Sequence, residues 1–486
     1  MSAVRPERLH WKLTTTASCA SAWALLSDTD RFNRVAGLQM RFSEQANADG
    51  SVVRTGRSQV LGVPLHWREH PFEWTEGERF SVRRDFAGGP ARSYTFSLSI
   101  AERPAGTEIE CEVVVTPRST WTRLLLAAEL SAFTRPALDR ALVRAVAVLD
   151  GIVSQFDHPP PPLSPEAERR LDAALGHLED ATLRARIGAF LRHAPIDEQQ
   201  TIAPLRLARR WGVEADALIV ALLGLVDAGL LELRWSLRCP SCRVGKATTP
   251  KRSAQPLAAH CTACNIAYDG SLPDSLIAAL RPAAALRTLH EDVRCIGSPA
   301  RTPHLVSSTL LEAGETVDVH IGLLAGRYRL RTLPAGGTAS LQVRADRVQD
   351  TIDVDLGAGS VDPPLLRAKP GLLVLHARNR RSQSTQLLIE RVDQADDLLT
   401  VGRLLEIPSV LALLPPDLLA QGLSVQASAG IVVVARVERG GLGAAKAVAD
   451  AFAAYEPNGL MVRGGVVIAT FTDAQRALGA ASLVQG

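Results

Sequence analysis

The sequence predicts a multi-domain α+β protein, and three observations carry that prediction. The chain has 486 residues, room for three or four domains at about 100–200 residues each. Runs of alternating apolar and polar residues gather into blocks, set apart from stretches with helical spacing. Four consecutive prolines in FDHPPPPLSP (156–165) hold an extended linker that no core would absorb. The divisions that follow are 1–155, the linker 156–165, 166–285, 286–400 and 401–486.

Residues 1–155 open with a strand around LHWKLTTT. SCASAWALL (18–26) then places Ala22, Leu25 and Leu26 on one helical face, with Trp23 flanking it. SVVRTGRSQV, VPLHWREHPFEW, ERFSVRRDF, RSYTFSLSI and TEIECEVVVTP alternate as strands between Gly, Pro and acidic turns. Apolar residues at helical spacing from Leu124 to Val153 predict one long closing helix. Strand, helix, meander and long helix describe a sheet wrapped around a helix. ASCASAWALLSDTDRFNRVAG (17–37) and the terminal helix resemble the START/Bet v 1-like superfamily, also called SRPBCC or polyketide-cyclase-like. That resemblance implies a helix-grip fold with a hydrophobic cavity for an apolar small molecule. Trp67, Trp74, Phe80, Phe86, Tyr94 and Phe96 are the candidate lining, and equally the material of a packed core. His66, Glu69 and His70 read as a solvated strand edge, and no catalytic constellation accompanies them.

In 166–285, a helix ends near Trp211-Gly212, a second runs from about Glu214 to Ala228, and a strand follows Gly229. The order resembles a winged-helix module. Arg206, Arg209 and Arg210 would suit phosphates, but the helix placed to read bases carries Glu214, Asp216 and Asp227 and no cation. It belongs in a core or a protein interface, which argues against nucleic acid as the partner. Cys239-Pro-Ser-Cys242 and Cys261-Thr-Ala-Cys264, eighteen residues apart, predict a zinc ribbon. Four thiolates leave no open coordination position, so the zinc would be structural. His260 beside Cys261 is the less favoured alternative ligand.

Residues 286–400 alternate over many short strands punctuated by Gly and Pro, which predicts a β-sandwich. Cys295-Ile296-Gly297-Ser298-Pro299, Pro303-His304, Ala313-Gly314-Glu315 and Ala325-Gly326-Arg327-Tyr328-Arg329 resemble an uncharacterised domain upstream of bacterial class III adenylate/guanylate cyclases. The resemblance spans roughly 160–400 and implies a regulatory or scaffolding role. His304 reads as a buried or sheet-capping histidine rather than a ligand or base.

SAGIVVVARVERGG (428–441) and MVRGGVVIATFTDAQRALGAASLVQ (461–485) resemble the first strand and the hairpin–helix of a class III nucleotide cyclase, part of a ferredoxin-like domain. At the family's two metal-binding Asp positions stand Val437 and Gly465. Cyclisation needs two divalent cations held by oxygen ligands, and neither side chain offers one. The expectation is a catalytically dead half-domain kept for association with itself or another protein.

The remaining counts bound the function. With 54 Lys+Arg against 51 Asp+Glu the charges nearly cancel, against a mainly electrostatic role on nucleic acid. No run reaches about 18 apolar residues, so no membrane-spanning helix is expected. Seven cysteines, four of them in CxxC pairs, and no signal-peptide pattern place the chain in the cytoplasm. The reading is a non-enzymatic regulatory or scaffolding protein; the alternative is a small-molecule or lipid carrier, or an enzyme, acting in the N-terminal cavity.

Overall fold

The computed structural model describes residues 4–38, 40–46, 52–60, 63–157, 159–239, 245–249, 258–261, 266–269, 276–289, 298–334, 336–392, 398–407, 410, 431–437, 441–455, 457, 459–463, 466–471 and 473–482. They gather into two compact units. One holds residues 1–159, 261–266 and 290–395, and the other 160–260, 267–289 and 396–486.

The first unit begins with β1 (Glu7–Thr15), α1 (Cys19–Leu26) and α2 (Thr29–Val35). Ser18 caps α1 by accepting from the Ser21 N–H, and Asp28 caps α2 through the Arg31 N–H. Ala22, Leu25 and Leu26 are the buried face of α1. A meander follows: β2 (Arg41–Ala46), β3 (Val52–Val60), β4 (Val63–Glu69), β5 (Glu73–Thr75), β6 (Arg79–Phe86), β7 (Ala91–Arg103) and β8 (Gly106–Pro117). Strict alternation in GTEIECEVVVTP buries every second residue of β8. The antiparallel sheet runs β1-β8-β7-β6 and then forks: β4 pairs with one half of β6 and leads to β3 and β2, while β5 pairs with the other half.

The closing helix runs from 120 to 149 with a π-helical turn inside it. α3 (Thr120–Glu129) begins at a capping box between Ser119 and Thr122, Leu130–Thr134 widen into a π-helical turn, and α4 (Arg135–Leu149) follows. Apolar spacing could not reveal this division, because Leu126, Leu130 and Leu138 keep facing the core through it. α4 lays Leu138, Ala141, Leu142 and Ala145 on the concave face of the sheet.

The next segment contains α5 (Pro165–Gly176), α6 (Ala181–His193), α7 (Ile196–Gln200), α8 (Pro204–Trp211) and α9 (Ala215–Asp227). Gly212, left-handed at φ +61°, ends α8. Leu218, Ile219, Leu222, Leu223, Leu225 and Val226 bury most of α9, as its lack of cations suggested. β9 (Leu231–Arg238) lies between β10 (Gly245–Thr249) and β13 (Leu276–Pro282), and β11 (Ala258–Cys261) pairs with β12 (Ile266–Asp269).

Two further layers of strands belong to the first unit. β14 (Leu305–Leu311), β15 (Thr316–Leu323), β16 (Gly326–Leu333), β17 (Thr338–Val343), β18 (Thr351–Leu356), β19 (Val361–Asp362), β20 (Leu365–Ala368), β21 (Gly371–Asn379) and β22 (Thr385–Arg391) form the layers β14-β22-β16-β17-β20 and β15-β21-β18-β19. One apolar core lies between them, including Leu330, Leu341, Leu356, Leu373 and Ile389. His304 is buried. Segments 1–155 and 286–400, expected as separate domains, share a sheet. β14 pairs antiparallel with β5, Ser307 opposite Thr75 and Ser308 opposite Trp74, so thirteen strands are continuous. Ser308 Oγ donates to the Phe72 carbonyl at 2.7 Å, Arg391 pairs with Glu76, and Leu305 and Leu388 complete the core around α4.

The last segment starts with α10 (Val401–Leu405). Beyond it, β23 (Ile431–Arg436), β24 (Gly459–Arg463) and β25 (Val466–Phe471) form an antiparallel sheet in the order β23-β25-β24. Helices Gly441–Ala453 and Ala474–Ser482 pack on it around Phe452, Val467, Ala469 and Phe471.

Candidate functional site

Alternation on β6 and β7 aims Phe80, Val82, Phe96 and Leu98 at the concave face, where α1, α2 and α4 close over them. Between these layers lies a cavity of about 30 Å³, lined also by Leu26, Thr29, Phe32, Asn33, Phe72, Arg84, Tyr94 and Leu138. That is room for one or two waters, against the 300–1,000 Å³ typical of a small-molecule pocket. Aromatic rings take up the remaining space: Phe80 and Phe96 have centroids 5.8 Å apart, and Phe72 and Phe80 6.4 Å.

Of the aromatic residues expected on the lining, the structure places Phe80, Tyr94 and Phe96 there. Trp67, Trp74 and Phe86 fill other parts of the same core. Trp67 packs edge-on against Phe42 and beside Phe86, and Trp74 sits at the joint with β14.

One end of the cavity is polar. Arg84 donates from Nε to Glu69 Oε2 at 3.0 Å, with both side chains at least nine-tenths buried. The guanidinium lies between two rings, 5.3 Å from the Trp67 centroid and 5.5 Å from that of Tyr94. Glu69 is therefore an interior ion-pair partner and not part of a solvated edge. His70, two-thirds covered, meets Asp85 at 2.7 Å. Burial pushes the Tyr94 phenol up to about 12, against the opposing pull of Arg84, so it stays a neutral donor. Thr29 contributes a buried hydroxyl oxygen for which the described residues supply no hydrogen-bond partner. The sequence hinted at none of this, since the Glu69–Arg84 pair forms across a strand register.

None of the described lining residues is a histidine or a carboxylate. The nearby Cys111 thiol is pushed up to about 12 by burial, which removes it as a nucleophile.

The cysteine pairs sit at strand connections. Cys239 is buried just after β9, and the first CxxC spans the link from β9 to β10. The second begins at Cys261, the last residue of β11, and spans the link to β12. A CxxC spacing suits a pair of zinc ligands, and four thiolates suit Zn²⁺. Cys242, Cys264 and the Cys261 side chain lie outside the described residues. In the C-terminal sheet, Val437 packs against the local apolar core, and Gly465 lies outside the described residues. Asp473 accepts from the Arg476 N–H at 2.8 Å, capping the final helix.

Residues 166–291, about a quarter of the chain, match the model of a family of unknown function, DUF5939. No curated protein matches the chain. Among solved structures, the Zhui aromatase/cyclase from Streptomyces sp. R1128 is similar at 12% identity over 30% of this chain and 96% of that one, with a TM-score of 0.25. A protein of Thermus thermophilus is similar at 12% identity over 31% of this chain and 100% of that one, with a TM-score of 0.24. Within residues 7–159, the forked antiparallel sheet closes around α4 in a helix-grip arrangement.

Proposed function

We propose that the chain is a non-catalytic regulatory or scaffolding protein whose helix-grip body senses a small, uncharged, mostly apolar molecule bearing one hydrogen-bonding group. The observation that carries this is the Thr29 hydroxyl, without a partner among the described residues, in a wall that is mostly apolar and aromatic and polar only at Asn33, Arg84 and the Tyr94 phenol. A buried hydroxyl without a partner costs about 1–3 kcal/mol, and a ligand oxygen or nitrogen relieves that cost. Because Glu69 already neutralises Arg84, a ligand carboxylate would find no free cation there. Entry requires the rings to swing aside, since the cavity as it stands is too small for any organic ligand. That movement has a route outward: β6 lines the cavity, β5 pairs with β6, and β14 pairs with β5.

In the same reading Cys239, Cys242, Cys261 and Cys264 hold one structural zinc, which contributes stability and no reaction. The C-terminal segment is a cyclase-like remnant that serves association. Its exposed Val432, Val434 and Met461 share one sheet face, through the register Val434–Ile468–Met461, and are the support for that role.

Native mass spectrometry of gently extracted protein tests the sensor. An apolar molecule should travel with the wild type, and Thr29→Val should weaken its retention roughly tenfold. The same substitution should leave the unliganded chain at least as stable, because it deletes an unpaired polar atom. A wild-type chain that carries nothing and gains no thermal stability from any apolar compound sinks the reading, and so does turnover of a compound that binds.

A further inference from the structure

The ridge formed by α3 and its π turn is apolar on both sides. Leu126 and Leu130 are buried against the sheet. On the outer side Trp121, Leu124 and Leu125 keep 82%, 67% and 66% of their full exposure, and Phe133 keeps 49%. The Ser119–Thr122 capping box fixes the start of this helix, so the outer side is presented preformed. A helix with a second apolar side calls for a second apolar medium.

The charges say which medium. Between residues 113 and 138 the chain carries Arg118, Arg123 and Arg135 but a single acid, Glu129. Glu129 is half-buried and accepts from the Thr134 hydroxyl at 2.8 Å, and burial pushes its carboxyl above the usual range. Arg123 is taken up by Glu7. Arg118, which also donates to the Phe86 carbonyl, and Arg135, which also lies over the Trp11 ring, stand exposed at the two ends. Between them the exposed side chains are small or apolar, with only the Thr120 and Ser131 hydroxyls and the Trp121 indole N–H able to hydrogen-bond. A protein interface would want a polar rim of matched donors and acceptors. An indole with leucines between arginines fits a headgroup layer instead, with the indole at the interface, the aliphatics among acyl chains and the guanidinium groups at phosphates.

We propose that α3 and the following turn form an interfacial ridge that docks the protein on an anionic lipid surface. The ridge lies outside the cavity, and the proposal stands whether or not the cavity takes a ligand.

The full chain is mixed with vesicles of phosphatidylcholine alone, or of phosphatidylcholine and phosphatidylglycerol in equal parts, and sedimented. The wild type should pellet with the anionic vesicles, less with the neutral ones, and less as salt rises. The combined substitution Trp121→Ser, Leu124→Ser, Leu125→Ser should lower the bound fraction at least about tenfold. Thermal unfolding should not change, because all three side chains are exposed. If that variant is unstable, Leu124→Glu alone should give the same loss. The proposal is overturned if the wild type stays in the supernatant or if the substituted chains bind as well. It is also overturned if light scattering shows a wild-type dimer that the same substitutions dissolve, since the ridge would then belong to a protein partner.

Discussion

Glu69 and Arg84 show how much one side chain can depend on another inside this fold. Each ion alone would be stranded in an aromatic interior, where desolvation costs several kcal/mol. The pair is tolerated because Arg84 Nε and Trp67 Nε1 both reach Glu69 Oε2, at 3.0 and 3.4 Å. Glu69→Leu alone should therefore destabilise the unliganded chain by about 3–5 kcal/mol, read as a fall in the urea midpoint. Adding Arg84→Met should restore most of the loss, because two apolar groups leave no orphan charge. An additive double variant would show that the two residues do not act as a pair. The sequence places them fifteen positions apart in a run of alternating residues, and only the β4–β6 register, Glu69 opposite Arg84, brings them together.

At the scale of elements, packing against glycine sets the shape of the meander. Gly56 on β3 lies opposite Trp67 on β4, and a Cβ there would stand 2.1 Å from the indole. Gly56→Ala should cost about 1–3 kcal/mol through overpacking, and a smaller ring-free residue at 67 should recover part of it. A denaturant titration of the single and double variants checks this. Elements whose signal is local were legible from residues alone. The buried face of α1 at Ala22, Leu25 and Leu26, Gly212 ending α8 and the alternation of β8 are examples, because helical spacing, left-handed glycines and period-two burial act within a few positions. The π turn at 130–134 was not, since the apolar spacing runs through it. The break that makes β5 a separate strand was equally silent: the alternation ran it into VPLHWREHPFEW, and Ser307 and Ser308 look like solvent-facing positions although both are buried at the joint. The candidate site followed the same division. Three lining aromatics lie on strands with clear alternation, whereas Thr29 becomes informative only once its surroundings are seen to leave it unpaired.

For the whole molecule, the pairing of β5 with β14 makes the helix-grip body incomplete by itself. Residues 1–159 expressed alone would lose Leu305 and Leu388 from the core and leave the β5 edge bare. Two buried leucines are worth about 3–6 kcal/mol. The fragment should therefore melt roughly 10 °C or more below the corresponding transition of the full chain, and it should associate through the open edge. A calorimetric scan showing the fragment as stable as the intact unit would contradict this. The same joint also bears on synthesis. β5 ends at Thr75 and its partner begins at Leu305, about 230 residues later. At about 5–20 residues per second, a ribosome needs roughly 10–50 s to span that distance. Throughout that interval the nascent body carries an unmatched strand edge, so the window of greatest aggregation risk comes during translation, and a chaperone that shields the growing chain would protect this protein more than one that acts after release.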